Sequence, residues 1–236
     1  MSKKIVFTLL LVLNAKSFAF SETVTLPSQI EAIIETPEES IKGLVVIAPA
    51  KKYLMRERLF ARLAEELTRS GYATVRFNWG SETLQVPQLE ITRASEDLHA
   101  AITYAQHKFG IGPDKTALVS KSFSSKALGL SISLSNQHVV LTPNCSVEMP
   151  FESIYGPILG SKAELNILIS NDDPNCDVGQ IYGAFESLEH PPGLFTTKGD
   201  HNFVIMDKET NYLTPNYDYQ DQVIRLVAMI ISAKNK

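Results

Sequence analysis

The chain contains few cysteines, no excess of basic residues and no hydrophobic run long enough to span a membrane comfortably. Two cysteines in 236 residues exclude a disulfide-dense scaffold, and a chain of this length can bury a full core without one. The net charge is −4 at pH 7 and no stripe of lysine and arginine is present, so nucleic acid is a poor candidate partner. Internal repeats and low-complexity tracts are also lacking, and the length favours one domain.

The histidines do not form a metal-binding pattern. His99 and His107 are eight residues apart in a stretch with helical periodicity, and no cysteine or carboxylate cluster with metal-ligand spacing accompanies them. We interpret them as residues of a solvated helix surface. His138 lies in a polar segment, and His190 precedes a stiff Pro-Pro turn. The sequence therefore predicts no metal site and no cofactor.

The N-terminal segment has the pattern of a secretory signal. Lys3 and Lys4 form a positive start, the stretch Ile5–Leu13 is almost entirely nonpolar, and Ser17 and Ala19 are small residues at the minus-three and minus-one positions. An uncleaved anchor is the alternative, but the apolar core is too short to span a bilayer comfortably. We expect cleavage of residues 1–19, which removes three lysines and changes the net charge from −4 to −7. The mature protein would be periplasmic or secreted, without a stable membrane anchor.

Strands alternate with helices along residues 20–236, which we expect to form one domain. Strands are predicted at 24–26, 29–36, 43–48, 73–77, 115–119, 139–142, 166–170 and 194–197. Helices are predicted at 55–69, 91–109, 123–134, 178–188 and 222–233. This alternation predicts an α/β fold with a mostly parallel central sheet and helices on both faces. Few residues separate the strands at 139–142 and 166–170, so no large cap domain is expected.

Ser122 lies where a predicted strand runs directly into a predicted helix. This layout is typical of a nucleophile elbow, a tight turn that lifts one hydroxyl above the sheet. The residues two places on either side must be small, and Ser120 and Ser124 meet that requirement although glycine is the usual choice. The alternative is a serine-rich junction without chemistry.

Two further side chains follow predicted strands in the order that a catalytic triad of this kind requires. Asp173 follows the strand at 166–170, and His201 follows the strand at 194–197. A histidine can take the proton of a serine hydroxyl, and a carboxylate on its other nitrogen fixes the tautomer. The sequence therefore predicts a Ser122–His201–Asp173 triad. Asp172 and Asp177 are the alternative acids.

The two cysteines follow strand ends that are neighbours if the sheet has the expected order. Cys145 follows the strand at 139–142, and Cys176 lies three residues beyond Asp173. Export would place both in an oxidising compartment, where disulfides persist. We therefore hypothesise a Cys145–Cys176 disulfide that braces the loop holding the acid.

Three segments together resemble the α/β-hydrolase superfamily, in its small, capless, dienelactone-hydrolase-like branch. They are the strand with Val75-Arg76-Phe77, the elbow Ser120-Lys121-Ser122-Phe123-Ser124-Ser125, and the loop Gly199-Asp200-His201-Asn202-Phe203. The elbow is similar to the Gly-Lys-Ser-Met-Gly-Gly of that branch, and the loop to its Gly-x-x-His-x-Phe. The resemblance covers nearly all of residues 20–236. It implies hydrolysis of an ester, thioester or related acyl bond in a small molecule through an acyl-enzyme.

One segment departs from that pattern. The loop after the strand at 43–48 reads Pro49-Ala50-Lys51 where the family has a His-Gly sequence. By the resemblance, the Ala50 N–H and the Phe123 N–H would form the oxyanion hole, while Pro49 has no N–H and a fixed φ. A catalytically weak or inactive binding protein of the same fold is therefore the alternative function.

The remaining predicted site residues are candidates for substrate contact. Lys51 lies in a basic segment with Lys52, Arg56 and Arg58. This segment would recognise an anionic substrate, place the Lys51 ammonium beside the oxyanion, or form a solvated surface. Tyr155 belongs to an apolar set that would either wall the site or pack in the core. The other members of that set are Met149, Phe151, Ile154 and Ile158. The sequence leaves the oligomeric state open.

Overall fold

The fold is described from a computed structural model. It describes residues 20–51, 54–80, 87–145, 155–156, 159, 163–186, 188–207 and 214–234. The predicted signal segment lies outside these residues, as do Lys52 and four members of the predicted apolar wall, namely Met149, Phe151, Ile154 and Ile158.

The strands form one large sheet and a separate hairpin. They are β1 Phe20–Thr25, β2 Glu31–Thr36, β3 Gly43–Ala48, β4 Tyr72–Phe77, β5 Thr116–Ser122, β6 Gln137–Pro143, β7 Glu164–Ser170, β8 Gly193–Thr197, β9 Ile205–Asp207 and β10 Thr214–Asn216. The sheet order is β1-β2-β4-β3-β5-β6-β7-β8, and β9 pairs with β10. The β1–β2 and β2–β4 pairs are antiparallel and the other pairs of the large sheet are parallel, which confirms the predicted mostly parallel sheet.

Helices cover both faces of the sheet, as predicted. They are α1 Arg58–Arg69, α2 Pro87–Phe109, α3 Val178–Phe185 and α4 Asp218–Ala233. One hydrophobic cluster joins α1 and α4 to one face, and a second cluster joins α2 and α3 to the other. The strand β3 shows why: all six of its residues are buried, and the five from Leu44 to Ala48 alternate between the two clusters. None of the helices within the described residues is long and apolar enough to cross a membrane.

The predicted helix at 123–134 is wrong in type. Two 3₁₀ helices, Phe123–Ala127 and Gly129–Leu134, occupy this segment. The Ser125 hydroxyl donates to the Ser122 carbonyl three residues back at 2.5 Å. Serine hydroxyls that bond nearby backbone groups compete with α-helical bonding, and glycine weakens a helix interior further. These two effects account for the tighter, interrupted turns.

Candidate active site

Ser122 ends β5 with a backbone conformation that residues other than glycine seldom adopt. Its φ is 51° and its ψ is −110°, which costs roughly 1–2 kcal/mol. The register between β5 and β6 shifts between Lys121 and Ser122, and the first 3₁₀ helix begins at the next residue. This is the strand–turn–helix arrangement of a nucleophile elbow, with a 3₁₀ helix in the place of the α-helix.

Ser124 holds the elbow together through its hydroxyl group. The Ser124 Oγ accepts a hydrogen bond from the Lys121 N–H at 2.6 Å and donates one to the Ala48 carbonyl at 2.9 Å. Ser120 and Ser124 are both buried. A glycine at position 124 could form neither side-chain bond, so the serine ties the elbow to the end of β3.

His201 and Asp173 lie in contact. The His201 Nδ1 is 2.8 Å from Asp173 Oδ2 and 2.9 Å from Asp173 Oδ1. Because the partner is a carboxylate, Nδ1 carries the proton and donates it, which leaves Nε2 as the basic nitrogen. The Asp173 side chain is fully buried, and the Asn175 N–H donates to its Oδ1 at 2.8 Å. Asp177 instead caps α3, where its Oδ1 accepts from the Gly179 N–H at 2.7 Å.

The loop that carries His201 is held by side-chain hydrogen bonds within it and by a buried phenylalanine. Asp200 Oδ1 accepts from the N–H groups of Asn202 at 2.7 Å and Val204 at 3.0 Å. Gly199 has φ 107°, and a Cβ there would lie 2.7 Å from the Phe203 carbonyl carbon, so only glycine fits this turn. The Phe203 side chain is fully buried in the α1–α4 cluster. The histidine is therefore presented by a braced loop.

Lys121 connects this loop to the elbow, a role that the sequence analysis missed. Its side chain is buried, and its Nζ donates to the Thr142 Oγ1 at 2.9 Å and to the His201 carbonyl at 2.7 Å. Burial lowers the pKa of Lys121 to about 7, and the Asp173 and Asp200 carboxylates raise it in part. The available signal was a charged residue near the end of the buried strand β5, where it is the only charged side chain.

The predicted oxyanion loop is held by a tryptophan that the sequence analysis also missed. The Trp79 indole N–H donates to the Pro49 carbonyl at 2.8 Å, and Ala50 is buried. The Trp79 ring also packs edge-on against the Phe123 ring, with centroids 5.8 Å apart. One side chain thus contacts the segments that carry both predicted oxyanion donors. Trp79 is the only tryptophan in the chain.

Lys51 is engaged by a carboxylate. Its Nζ lies 2.7 Å from Glu90 of α2, whose side chain is 8% exposed, and 5.8 Å from the centroid of the Phe123 ring. The lysine therefore stands beside the predicted oxyanion hole with its charge largely balanced. Contact between Lys51 and substrate stays a prediction.

Tyr155 is fully buried and belongs to the cluster between the sheet and α2. Burial raises the pKa of its hydroxyl, and the neighbouring Ser125 lowers it in part. This position fits the core-packing alternative better than an open wall. Its hydroxyl lies beside Ser125, three residues after Ser122, and its role in substrate binding stays a prediction.

The hypothesised disulfide is present. Cys145 and Cys176 are bonded, with their Cα atoms 5.0 Å apart, within the range that a disulfide requires. The bond links the segment after β6 to the segment that follows Asp173. It therefore braces the acid loop from the neighbouring strand.

Within the described ranges, no group of three or more histidine, cysteine or acidic residues is placed to hold a metal ion. His138 is not in a polar link, as the sequence suggested, but is the second residue of the buried strand β6. Its Nε2 lies 3.1 Å from the Ser135 Oγ, and burial lowers its pKa to about 4. We assign it a structural role in the core.

Comparison by sequence finds no match: no protein-family model and no curated protein matches this chain. Comparison by structure finds similar proteins across the described fold. An alpha-beta serine hydrolase homologue from Coxiella burnetii has a TM-score of 0.67 and 17% identity, covering 89% of this chain and 96% of its own.

Two further solved structures agree with that likeness. An α/β serine hydrolase without a lid from Xanthomonas campestris has a TM-score of 0.59 and 14% identity, covering 92% of this chain and 93% of its own. A candidate dienelactone hydrolase from Klebsiella pneumoniae has a TM-score of 0.69 and 13% identity, covering 92% of this chain and 99% of its own. Such low identities bear on architecture rather than activity. Together with the sheet order and the elbow, these three similar structures show that this chain has the α/β-hydrolase fold in its small, lidless form.

Proposed function

We propose that the protein is an exported serine hydrolase that cleaves an ester, thioester or related acyl bond of a small molecule. The observation that carries the proposal is the Asp173–His201 hydrogen bond, formed by a loop whose His201 carbonyl is bound by Lys121. Because Lys121 directly precedes Ser122, this bond joins the histidine loop to the elbow. The structural neighbours described as serine hydrolases and esterases support the same chemistry.

In the proposed mechanism, the Ser122 Oγ attacks the acyl carbonyl while His201 Nε2 takes the hydroxyl proton. The Ala50 and Phe123 N–H groups bind the oxygen that becomes negative. When the carbonyl re-forms, His201 gives the proton to the leaving group, and an acyl-enzyme on Ser122 remains. A water molecule deprotonated by His201 then releases the acid and restores the serine. Asp173 stabilises the imidazolium in both halves.

Export of the protein rests on two observations. The N-terminal segment has the composition of a secretory signal, and the Cys145–Cys176 disulfide is the kind of bond that persists in oxidising compartments. Expression of the full chain in a bacterium should yield a mature periplasmic protein that begins at Phe20. N-terminal sequencing checks this, and recovery of the uncleaved chain in the cytoplasm would contradict it.

A fluorophosphonate probe tests the nucleophile. We expect the purified mature protein to be labelled on the peptide that contains Ser122, as read by mass spectrometry, and we expect Ser122→Ala to abolish both labelling and hydrolysis of p-nitrophenyl esters. Labelling of another serine, or none on folded wild-type protein, would refute the assignment.

A pair of matched aspartate variants tests the acid. Asp173→Asn removes the carboxylate that bonds His201, so ester hydrolysis should fall by roughly 10⁴-fold through loss of the correct tautomer. Asp177→Asn changes an aspartate that only caps α3, so hydrolysis should stay close to the wild-type rate. Equal effects of the two substitutions would contradict the proposed triad.

The non-catalytic binding protein remains the competing function, favoured by Pro49-Ala50 in place of the family's His-Gly. Three results together would establish that alternative for the folded protein. It would bind acyl compounds in calorimetry, it would not react with the probe, and it would hydrolyse no ester or thioester in a substrate panel.

A further inference from the structure

Trp79 lies just beyond the end of β4 and contacts the loop after β3 and the start of the elbow helix. Its ring is buried between Phe77, with centroids 4.8 Å apart, and Phe123, with centroids 5.8 Å apart, both in edge-on geometry. Aromatic pairs at these distances contribute about 0.5–1.5 kcal/mol beyond the area they bury. The indole is therefore held in place, and its N–H has a fixed direction.

That N–H donates to the Pro49 carbonyl at 2.8 Å. The Pro49 carbonyl and the Ala50 N–H belong to the same peptide group. This group is planar and trans, so its C=O and N–H point in opposite directions. A donor that fixes the carbonyl of Pro49 therefore fixes the N–H of Ala50 as well, directed away from the indole.

We propose that Trp79 is a positioning residue that aims the Ala50 N–H of the oxyanion hole, an inference that rests on the proposed hydrolase function. Its role is to act through the Pro49–Ala50 peptide group rather than on the reacting atoms. Through its packing against Phe123 it also sets the position of the residue that carries the second donor.

The sequence of this loop explains why such a residue is needed. Pro49 fixes its own φ and has no N–H with which to anchor the turn, whereas its ψ, which orients the next peptide group, stays free to rotate. The Trp79 bond removes that freedom. A second bond from the neighbouring segment, in which Asn78 Oδ1 accepts from the Met55 N–H at 2.9 Å, holds the far end of the same loop.

Steady-state kinetics of ester hydrolysis provide the first test. Trp79→Phe keeps an aromatic ring and loses the N–H, so kcat should fall between about 10-fold and 10³-fold, the upper bound being loss of a whole oxyanion donor. KM should change little, because the donor binds the transition state more strongly than the substrate. Phe109→Leu is the matched control, since it removes an aromatic ring from the same hydrophobic cluster at the end of α2 and leaves the indole and its two packing partners unchanged, so kcat should stay close to the wild-type value.

An isosteric replacement guards against a variant that fails to fold. Because the chain has a single tryptophan, a tryptophan-requiring host can replace Trp79 alone with the analogue that carries sulfur in place of the indole N–H. We expect this protein to stay folded, with a melting temperature lowered by about a few degrees through loss of one buried hydrogen bond, and to show the kcat loss of Trp79→Phe. A kcat equal to that of wild type in the folded analogue would overturn the inference and leave the proposed function standing.

Nuclear magnetic resonance reads the Ala50 N–H directly. Pro49-Ala50 is the only Pro-Ala pair in the sequence, so ¹³C-carbonyl proline with ¹⁵N-alanine gives one correlation that belongs to Ala50. In wild type this amide proton should shift downfield when the fluorophosphonate occupies Ser122, and the shift should shrink in Trp79→Phe. The same shift in both proteins would overturn the inference.

The amide signal also separates the two proposals. A wild-type protein that does not react with the probe refutes the proposed function by itself. In that case the Ala50 amide resonance of unreacted wild type is compared with that of unreacted Trp79→Phe. A different chemical shift supports the claim that Trp79 positions this peptide group, and an identical shift overturns it.

Discussion

Lys121 gives a quantitative test of the buried network through the pH dependence of the free energy of unfolding. Its ammonium is buried between β6 and the histidine loop, and burial lowers its pKa to about 7 in the folded protein, with Asp173 and Asp200 opposing in part. In an unfolded chain lysine titrates at about 10.4. Between these two values the folded protein binds fewer protons than the unfolded chain, so its stability rises with pH.

The magnitude follows from the two pKa values. The penalty for burying the charged lysine is fully present below about pH 7, and it is relieved as the pH rises towards about 10.4. A difference of one in pKa corresponds to about 1.4 kcal/mol, so the complete relief is about 5 kcal/mol. Between pH 7 and pH 9 it is about 2 kcal/mol, because at pH 7 half of the folded molecules already carry a neutral lysine.

Urea denaturation of wild type and Lys121→Met between pH 7 and pH 9 measures this contribution. Methionine keeps an unbranched apolar chain and removes the titrating group, so the wild-type free energy of unfolding should rise by about 2 kcal/mol relative to the variant. Lys115→Met is the control, because Lys115 is an exposed lysine just before β5, and its profile should stay parallel to wild type. A Lys121→Met profile parallel to wild type would refute a buried lysine with a lowered pKa.

Two further predictions concern stability. The Cys145–Cys176 bond closes a loop with a sequence separation of 31, so reduction or double substitution with alanine should lower the free energy of unfolding by about 3–4 kcal/mol. Urea unfolding with and without reductant checks this, and an unchanged midpoint would contradict it. Arg76 and Glu35 form an ion pair at 2.5 Å with side chains only 8% and 14% exposed, so Glu35→Ala should cost about 3–5 kcal/mol by leaving a buried guanidinium whose charge is no longer paired with a carboxylate. Arg69→Ala breaks surface pairs and should cost less than about 1 kcal/mol. Urea unfolding of both variants measures the difference, and similar losses for the two would argue against the burial effect.

The central layers of the fold were predictable because burial leaves a periodic signal. The strand β3 was predicted with its observed ends, since a run apolar on both faces is typical of a parallel sheet. The helix α1 was predicted three residues too long at its start, because its apolar face is clear but no capping side chain marks its first turn. The hairpin β9–β10 was missed, because three-residue strands carry no readable alternation.

Asp173 and His201 were expected to meet because residues after parallel strands meet at one sheet edge, and their side chains are in contact. The assignment of Ser122 as the nucleophile beside them stays a prediction. The roles of Lys121 and Trp79 depend on which backbone carbonyl each side chain reaches, in a loop far away in sequence. No local pattern encodes such pairings, because they arise from the sheet order and from how two loops pack.

The residues that stand here in place of the family's glycines therefore have a structural explanation other than loss of activity. At position 124 the hydroxyl that replaces glycine bonds the elbow backbone and the Ala48 carbonyl, so the extra atoms add two contacts inside a turn that already carries strain. In the loop after β3, an indole N–H fixes the Pro49 peptide group that would otherwise rotate. In both places a buried hydrogen-bond donor restrains the backbone at a position where the family pattern has a glycine. A hydrogen bond formed inside a buried site contributes about 0.5–1.5 kcal/mol, which is comparable to the cost of holding Ser122 at positive φ. The substitutions that motivated the binding-protein alternative are thus accompanied by contacts that can keep a strained, preorganised site in place.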